Sequence, residues 1–337
     1  RHHALDGLLW MRVLNFANRP GGGRRRNPVT PRHTLRWQTW KRRCMLAHQT
    51  YPGAHDGRYV HGTHGSAESE PGRASQTQAG LNRKTFMGVK LGRCNLETGK
   101  ISLGTVKFGR NTDVKYPAKF ELPEDKLIAN LLSEAQELGV RLLDTAPAYG
   151  NSEHRIGQLL PGRREDWVLC TKTGEQYAAG KSSFDFSREA VVASVGQSLK
   201  HLRTDYLDIV LIHSNGDDLG ILHQTDAFAT LERLKEKGDI RYIGMSTKSV
   251  EGSIAALEVS DVLMLTLNLE DQSNINVIKA AKKKDTGILL KKVFASGHQT
   301  AEESLAFALG QKGVHSAVVG TIDSGHLKEN VYFANSV

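Results

Sequence analysis

RLLDTAPAYGNSE, residues 141–153, is the stretch of sequence that decides the fold. Two leucines lead into Asp144, and a loop of small residues then places Tyr149 five positions further on. A buried strand that stops at a carboxylate and opens into such a loop is typical of a barrel strand whose C-terminal end carries a site. Two later apolar runs end similarly, at Lys172 and His213. We interpret these four residues as one acid–base group.

Eight short apolar runs follow one another along the chain. They are ISLGTVKFG (101–109), RLLDTA (141–146), WVLCTKTG (167–174), DIVLIHS (208–214), YIGMST (242–247), DVLMLTLNL (261–269), GILLKKVF (287–294) and SAVVGT (316–321). Segments with helical periodicity separate most of them, at 123–139, 187–202, 228–238, 249–259, 275–285 and 301–313. This alternation predicts an α/β fold, a closed (β/α)8 TIM barrel. An open doubly wound sheet is the alternative, but LGTVKFGRN after the first strand lacks its glycine-rich fingerprint.

A short hairpin is predicted before the barrel, with VKLGRCNL (89–96) and GKISLG (99–104) joined at Thr98 and Gly99. Ser187 is a candidate cap for the helix that follows it, and Gly139 and Gly238 are candidate helix stops.

The charge divides the chain into two parts. Residues 1–84 hold 15 Lys+Arg and 4 Asp+Glu, a net +11, whereas residues 85–337 hold 30 and 32, a net −2. We predict that 1–84 is a basic, disordered, low-complexity extension, because it has few aliphatic residues and no sustained periodicity. The barrel domain is predicted to occupy 85–337.

Several alternatives stay open for the extension. Its arginine-rich, acid-poor composition also fits an organelle transit peptide, and arginines interleaved with Trp37 and Trp40 could grip single-stranded nucleic acid. Sequence read from upstream of a natural start near Met87 is a further possibility. The near-neutral barrel domain gives no electrostatic reason to expect a nucleic-acid partner.

The spacing of the cysteines and the length of the apolar runs indicate the cellular compartment that we expect. The three cysteines are far apart without a CxxC motif, and no apolar run approaches the roughly 18 residues of a membrane span. We therefore expect a cytoplasmic protein without a membrane partner. Seven histidines lie in the extension without tight ligand spacing, so no metal is predicted.

The four singled-out residues suit proton transfer to an oxygen. Tyrosine is a weak acid with a reference pKa of about 10, and a nearby ammonium lowers that pKa by favouring the phenolate. Asp144 would keep Lys172 charged and in place, and His213 could orient a carbonyl oxygen. Taken singly, each residue has a simpler explanation as a helix cap, a packing ring, a surface charge or a satisfied histidine.

In combination, the segments DTAPAYGNSE, CTKTGE, LIHS, GMSTKS (244–249) and VVGTIDSGHLKENV (318–331) resemble the aldo-keto reductase family from about residue 87 to 337. The resemblance implies a metal-free enzyme that moves a hydride from NADPH to a small aldehyde or ketone. Tyr149 would be the general acid, Lys172 would depress its pKa, Asp144 would pair with Lys172, and His213 would orient the carbonyl.

The resemblance also implies a cofactor lying across the top of the barrel. Ser246 and Asn268 would face the carboxamide, Lys292 and Gly297 would lie under the pyrophosphate, and Gly320, Thr321 and Ser324 would sit near the phosphates. Glu329 and Asn330 would hold the adenine. His326 would be near a 2′-phosphate, so NADP(H) is expected, with NAD(H) as the alternative.

A second function stays open. LNLEDQSN (267–274), after the sixth strand, has no aromatic residue to stack on a nicotinamide. The same barrel could therefore be a cofactor-binding sensor or partner subunit with weak or vestigial reductase activity.

Overall fold

The structure is a computed structural model, and it describes residues 88–162 and 164–337. The predictions for residues 1–84, namely disorder, targeting, nucleic-acid binding and a start near Met87, lie outside the described residues.

Eight parallel strands close into a barrel, in the spatial order β10-β11-β12-β3-β4-β5-β8-β9. The strands are β3 (Ile101–Gly104), β4 (Leu142–Asp144), β5 (Val168–Thr173), β8 (Leu207–His213), β9 (Ile240–Ser246), β10 (Val262–Thr266), β11 (Gly287–Lys291) and β12 (Ser316–Gly320). The predicted (β/α)8 barrel is confirmed, and each of the eight apolar runs overlaps one barrel strand. The strands are almost wholly buried because helices cover the outside of the barrel and side chains fill the inside.

Three shorter antiparallel or irregular elements accompany the barrel. β1 (Val89–Lys90) pairs with β2 (Glu97–Thr98), and β6 (Glu175–Ala178) pairs with β7 (Lys181–Phe184). A 3-10 turn covers Pro147–Tyr149.

Ten helices surround the barrel in the described part of the chain; six correspond to the predicted helical segments, and four were not predicted. The ten are α1 (Val106–Gly109), α2 (Asp125–Glu137), α3 (Ser152–Leu159), α4 (Arg188–Leu202), α5 (Asp218–Gln224), α6 (Ala227–Lys237), α7 (Val250–Ala256), α8 (Ile275–Lys283), α9 (Ala301–Leu309) and α10 (Ser324–Asn335). Ser187 caps α4 by accepting a hydrogen bond from the Ala190 N–H, as predicted. Gly238 ends α6 with a φ of 92°, a left-handed conformation that glycine adopts without strain.

The N-terminal hairpin is present, but its predicted connection is wrong. β1 and β2 are its strands and residues 91–96 form its turn, whereas Ile101–Gly104 is the first strand of the barrel. Leu91, Cys94 and Leu96 from this turn are buried with the first residues of the barrel strands, including Val168 and Val262. The hairpin therefore covers the N-terminal end of the barrel, opposite the strand ends that carry the predicted site.

Candidate active site

Neighbouring strands bring the four predicted catalytic residues together. Asp144 is the last residue of β4, Lys172 lies near the end of β5, and His213 is the last residue of β8. These three strands are adjacent in the barrel. Tyr149 closes the 3-10 turn directly after β4, and Gly150, with a φ of 61°, allows the sharp change of direction that follows.

A buried ion pair forms the base of the site. The Lys172 Nζ donates to Asp144 Oδ1 at 2.6 Å and to the Thr145 carbonyl at 2.9 Å. The two charged residues are only 2% and 4% exposed. Burial works to lower the pKa of Lys172, but Asp144, Tyr149 and Cys170 outweigh it and leave that pKa raised. Lys172 is therefore an ammonium ion at neutral pH.

The tyrosine and histidine rings lie against this pair. The Lys172 Nζ is 4.7 Å from the centroid of the Tyr149 ring, and the His213 ring stands edge-on to Tyr149 at 6.3 Å. Burial raises the pKa of Tyr149, and Lys172 opposes this shift. The predicted lowering by Lys172 is thus present, but burial outweighs it. Tyr149 keeps its proton at neutral pH.

A cluster of lysines lies further round the barrel mouth, where β11 ends. The Lys291 Nζ donates to Ser246 Oγ and to the Thr247 carbonyl, both at 2.8 Å. Burial lowers the pKa of Lys291 to about 7, and Lys292, Lys172 and Lys248 add to the shift. The pKa of Lys292 is lowered as well, first by burial and then by the charges of Lys115 and Lys248. Amines crowded together in this way favour binding of an anion.

The predicted cofactor residues on the loops have partners within the chain. The Asn268 Nδ2 donates to the Lys292 carbonyl at 3.1 Å, and its Oδ1 accepts from Glu270 and Asp271 N–H groups. Thr321 is buried, while Gly320 is exposed at the end of β12. Gly297 has a φ of 102°. Their proposed contacts with a cofactor stay predictions.

Carboxylates accompany the predicted phosphate-binding groups at the start of α10. The Asp323 side chain caps the helix by accepting from the His326 N–H at 2.8 Å, and lies 4.0 Å from His326 Nδ1. Glu134 accepts from the Ser324 hydroxyl and pairs with Lys328. Further along α10, Glu329 is exposed and Asn330 is buried.

The sequence interpretation missed three titratable residues around the mouth. Glu175 lies 2.7 Å from His213. Tyr116 has a pKa raised to about 12 by burial and by Asp144. Lys291 ends β11 next to the predicted Lys292. Lys291 and Glu175 had a usable signal, because Lys291 adjoins the predicted Lys292 and Glu175 follows the predicted Lys172 by three residues.

Residues 88–162 and 164–337 contain no cluster of three or more His, Cys, Asp or Glu side chains that could hold a metal ion. None of the helices in the described part of the chain is long and apolar enough to cross a membrane.

A parallel barrel with a phenol, an ammonium, a carboxylate and an imidazole at adjacent strand ends defines a barrel enzyme with acid–base chemistry. The sequence model of the aldo/keto reductase family matches residues 100–304. The chain belongs to the aldo/keto reductase family, a family of oxidoreductases.

Individual relatives agree with this assignment. YqkF of Bacillus subtilis, an uncharacterised oxidoreductase, is 26% identical over 294 residues, which are 73% of this chain and 90% of that protein. L-galactose dehydrogenase of Arabidopsis thaliana is 26% identical over 254 residues, 62% of this chain and 77% of that protein. A crystal structure from Pseudomonas aeruginosa, provisionally assigned as an aldo-keto reductase, is 43% identical with a TM-score of 0.69, covering 74% of this chain and 95% of that one.

Proposed function

We propose that this protein reduces small aldehydes or ketones to alcohols with NADPH, and that Tyr149 supplies the proton. The observation that carries the proposal is the buried Asp144–Lys172 pair beneath the Tyr149 ring, with His213 beside that ring. These groups converge on one side of the barrel mouth, so a single carbonyl oxygen can reach the phenol and the imidazole together.

Tyr149 is suited to act as an acid rather than as a base. Its raised pKa keeps the phenol protonated at neutral pH, so it holds a proton to donate to an oxygen that gains negative charge. The phenolate left behind faces the Lys172 ammonium, which Asp144 holds in place. The attraction between phenolate and ammonium stabilises the product of the transfer in a site that excludes much of the water.

The cofactor supplies the hydride when it is bound. Its diphosphate would lie against the lysine cluster of Lys115, Lys248, Lys291 and Lys292, because, in addition to burial, Lys248 acts on both Lys291 and Lys292 and lowers their pKa values, and Lys115 does so for Lys292. Ser246, whose hydroxyl accepts a hydrogen bond from Lys291, would face the carboxamide end.

NADPH is the proposed form of the cofactor because His326 and Lys328 are exposed cationic or ionisable groups on the first turns of α10. NADH is the alternative, and the carboxylates of Asp323 and Glu134 beside those groups favour it by reducing the local positive charge.

Weak or vestigial reduction by a cofactor-binding sensor is the second candidate. The raised pKa of Tyr149 favours it, because a weaker acid transfers its proton more slowly. A protein of this kind would bind NADPH, shift its fluorescence, and leave it unconsumed across a broad aldehyde panel.

Tyr149→Phe tests the proposal in the full chain. The variant removes the proton donor but keeps the ring, so turnover with a panel of aldehydes should fall by about 10²-fold or more. NADPH binding, measured by its fluorescence, should stay within about twofold of the parent protein. Tyr206→Phe is the matched control, because Tyr206 packs against Arg164 and Arg241 ahead of β8, away from the mouth. Parent-level reduction by Tyr149→Phe would refute the role of Tyr149.

A further inference from the structure

The hairpin that follows Lys172 brings a carboxylate to the catalytic imidazole. Glu175 is the first residue of β6, and its Oε2 lies 2.7 Å from His213 Nδ1. The two side chains are 12% and 18% exposed, so water screens the contact only partly. The two atoms are close, but the ring N–H does not point straight at the carboxylate oxygen, so the contact is electrostatic rather than an aligned hydrogen bond.

Contacts within and beyond the hairpin fix this carboxylate. The Ser182 hydroxyl, on β7, donates to Glu175 Oε1 at 2.6 Å. Tyr177, on β6, stacks against Arg110 with the guanidinium carbon 3.5 Å from the ring centroid, and its hydroxyl lies 2.8 Å from that of Thr112. The hairpin is thus tied to the loop after α1, and Glu175 is held at the mouth rather than left in solvent.

Apart from Glu175, the charged groups that most shift the pKa of His213 are positive. The groups that shift its pKa are Glu175, Lys172 and Lys291, and the uncharged ring of Tyr149 stands edge-on to it. Burial lowers the pKa of His213, and Glu175 opposes that shift. Burial works to raise the pKa of Glu175, but His213, Ser182 and Arg110 outweigh it and lower that pKa to about 2. Glu175 is therefore ionised across the neutral range.

An ionised carboxylate only accepts hydrogen bonds, so Nδ1 of His213 must carry a proton at 2.7 Å from it. A neutral His213 then presents a bare Nε2, which accepts but does not donate. Donation through Nε2 to a carbonyl oxygen needs a second proton, and hence an imidazolium ion.

We infer that Glu175 is a positioning residue that fixes the proton on Nδ1 of His213 and is the counter-ion that lets His213 donate to the substrate carbonyl as an imidazolium. This inference rests on the proposed reductase function. It makes reduction faster on the acid side of neutrality, since the imidazolium fraction of His213 falls as pH rises.

Glu175→Gln tests the inference, because it keeps the shape of the side chain and removes the charge. Without the carboxylate, the pKa of His213 should fall, because the charge that favours the imidazolium ion is gone. The imidazolium fraction at pH 7, and with it kcat/KM for aldehyde reduction, should fall about tenfold. Glu175→Asp keeps the charge and should restore most of kcat/KM. Ser182→Ala keeps the carboxylate but removes its tether, and should lower kcat/KM less than threefold.

Histidine NMR separates this inference from the function on which it rests. In the full chain labelled with ¹⁵N-histidine, with His213 assigned from the His213→Asn spectrum, we expect the neutral Nδ1–H tautomer and an acid shift of its titration midpoint in Glu175→Gln. An Nε2–H tautomer in the parent protein, or the same midpoint in both proteins, would overturn the inference. Failure of the proposed function instead appears as no consumption of NADPH by the parent protein across the aldehyde panel, and the tautomer and titration of His213 can still be measured in that case.

Discussion

Asp144→Asn probes the buried ion pair on which the site is built. The substitution keeps the size of the side chain and removes the partner of an ammonium ion that is 2% exposed and 2.6 Å from the carboxylate. Breaking one half of a buried pair leaves an uncompensated charge and typically costs about 3–5 kcal/mol. The whole free energy of unfolding of a domain is about 5–15 kcal/mol. The midpoint of thermal unfolding should therefore fall by roughly 10 °C.

Asp144→Asn/Lys172→Met is the matched control for that loss. It removes both charges, so it should recover most of the stability that Asp144→Asn loses, although neither protein should reduce aldehydes. Urea unfolding followed by circular dichroism measures the free energy of unfolding of each protein. A loss below about 1 kcal/mol in Asp144→Asn, well under the expected cost of an uncompensated buried charge, would refute the reasoning. A double variant no more stable than Asp144→Asn would refute it equally.

The pH dependence of the loss has a definite sign. In the parent protein the raised pKa of Lys172 means that its stabilisation is complete below the unfolded pKa of about 10.4 and is lost as pH rises through the folded pKa. In Asp144→Asn, burial should lower the pKa of Lys172, so the unfolded state binds more protons and stability rises with pH. The difference in free energy of unfolding between the parent protein and Asp144→Asn should become smaller from pH 7 toward pH 10.

Three other predictions concern packing, titration and thiol chemistry. A Cβ on Gly244 would lie 1.7 Å from a backbone oxygen of the next strand, so Gly244→Ala should lower the free energy of unfolding, measured in urea, by about 3 kcal/mol. Gly196 is in an open position within α4, so Gly196→Ala should raise the free energy of unfolding by about 1 kcal/mol. Burial and neighbouring lysines lower the pKa of Lys291 to about 7, so the unfolded state binds more protons above that pH. Between pH 7 and 9, the urea concentration at the unfolding midpoint should therefore rise more in the parent protein than in Lys291→Met. A difference between the two midpoints that does not change with pH would contradict this. Burial raises the pKa of Cys94 to about 12 and that of Cys170 well above its usual value, so neither thiol should react with iodoacetamide in the native protein, as peptide mass spectrometry can check.

Local sequence patterns were enough to predict the barrel and the four residues at its mouth. Each barrel strand is a short apolar run, and alternation with amphipathic helices leaves few ways to bury it. A residue that ends such a run is carried to the mouth by the geometry of a parallel barrel, which is why Asp144, Lys172 and His213 could be grouped in advance. Local patterns gave the wrong partner for Ile101–Gly104, which was predicted to pair with the segment 89–96. Its partners in the barrel are strands more than 30 residues away, and local patterns carry no information about such pairing.

Tertiary structure alone decided how the site is charged. Whether Tyr149 has a raised or lowered pKa depends on the balance between burial and the Lys172 ammonium, and both depend on three-dimensional distances. The contact between Glu175 and His213 joins residues 38 positions apart through a hairpin that periodicity did not reveal. The sequence by itself thus determined which chemical groups reach the barrel mouth, because strand ends are local features. Only the packed chain decided which of those groups hold a proton, because desolvation and Coulomb energies arise from contacts between distant segments.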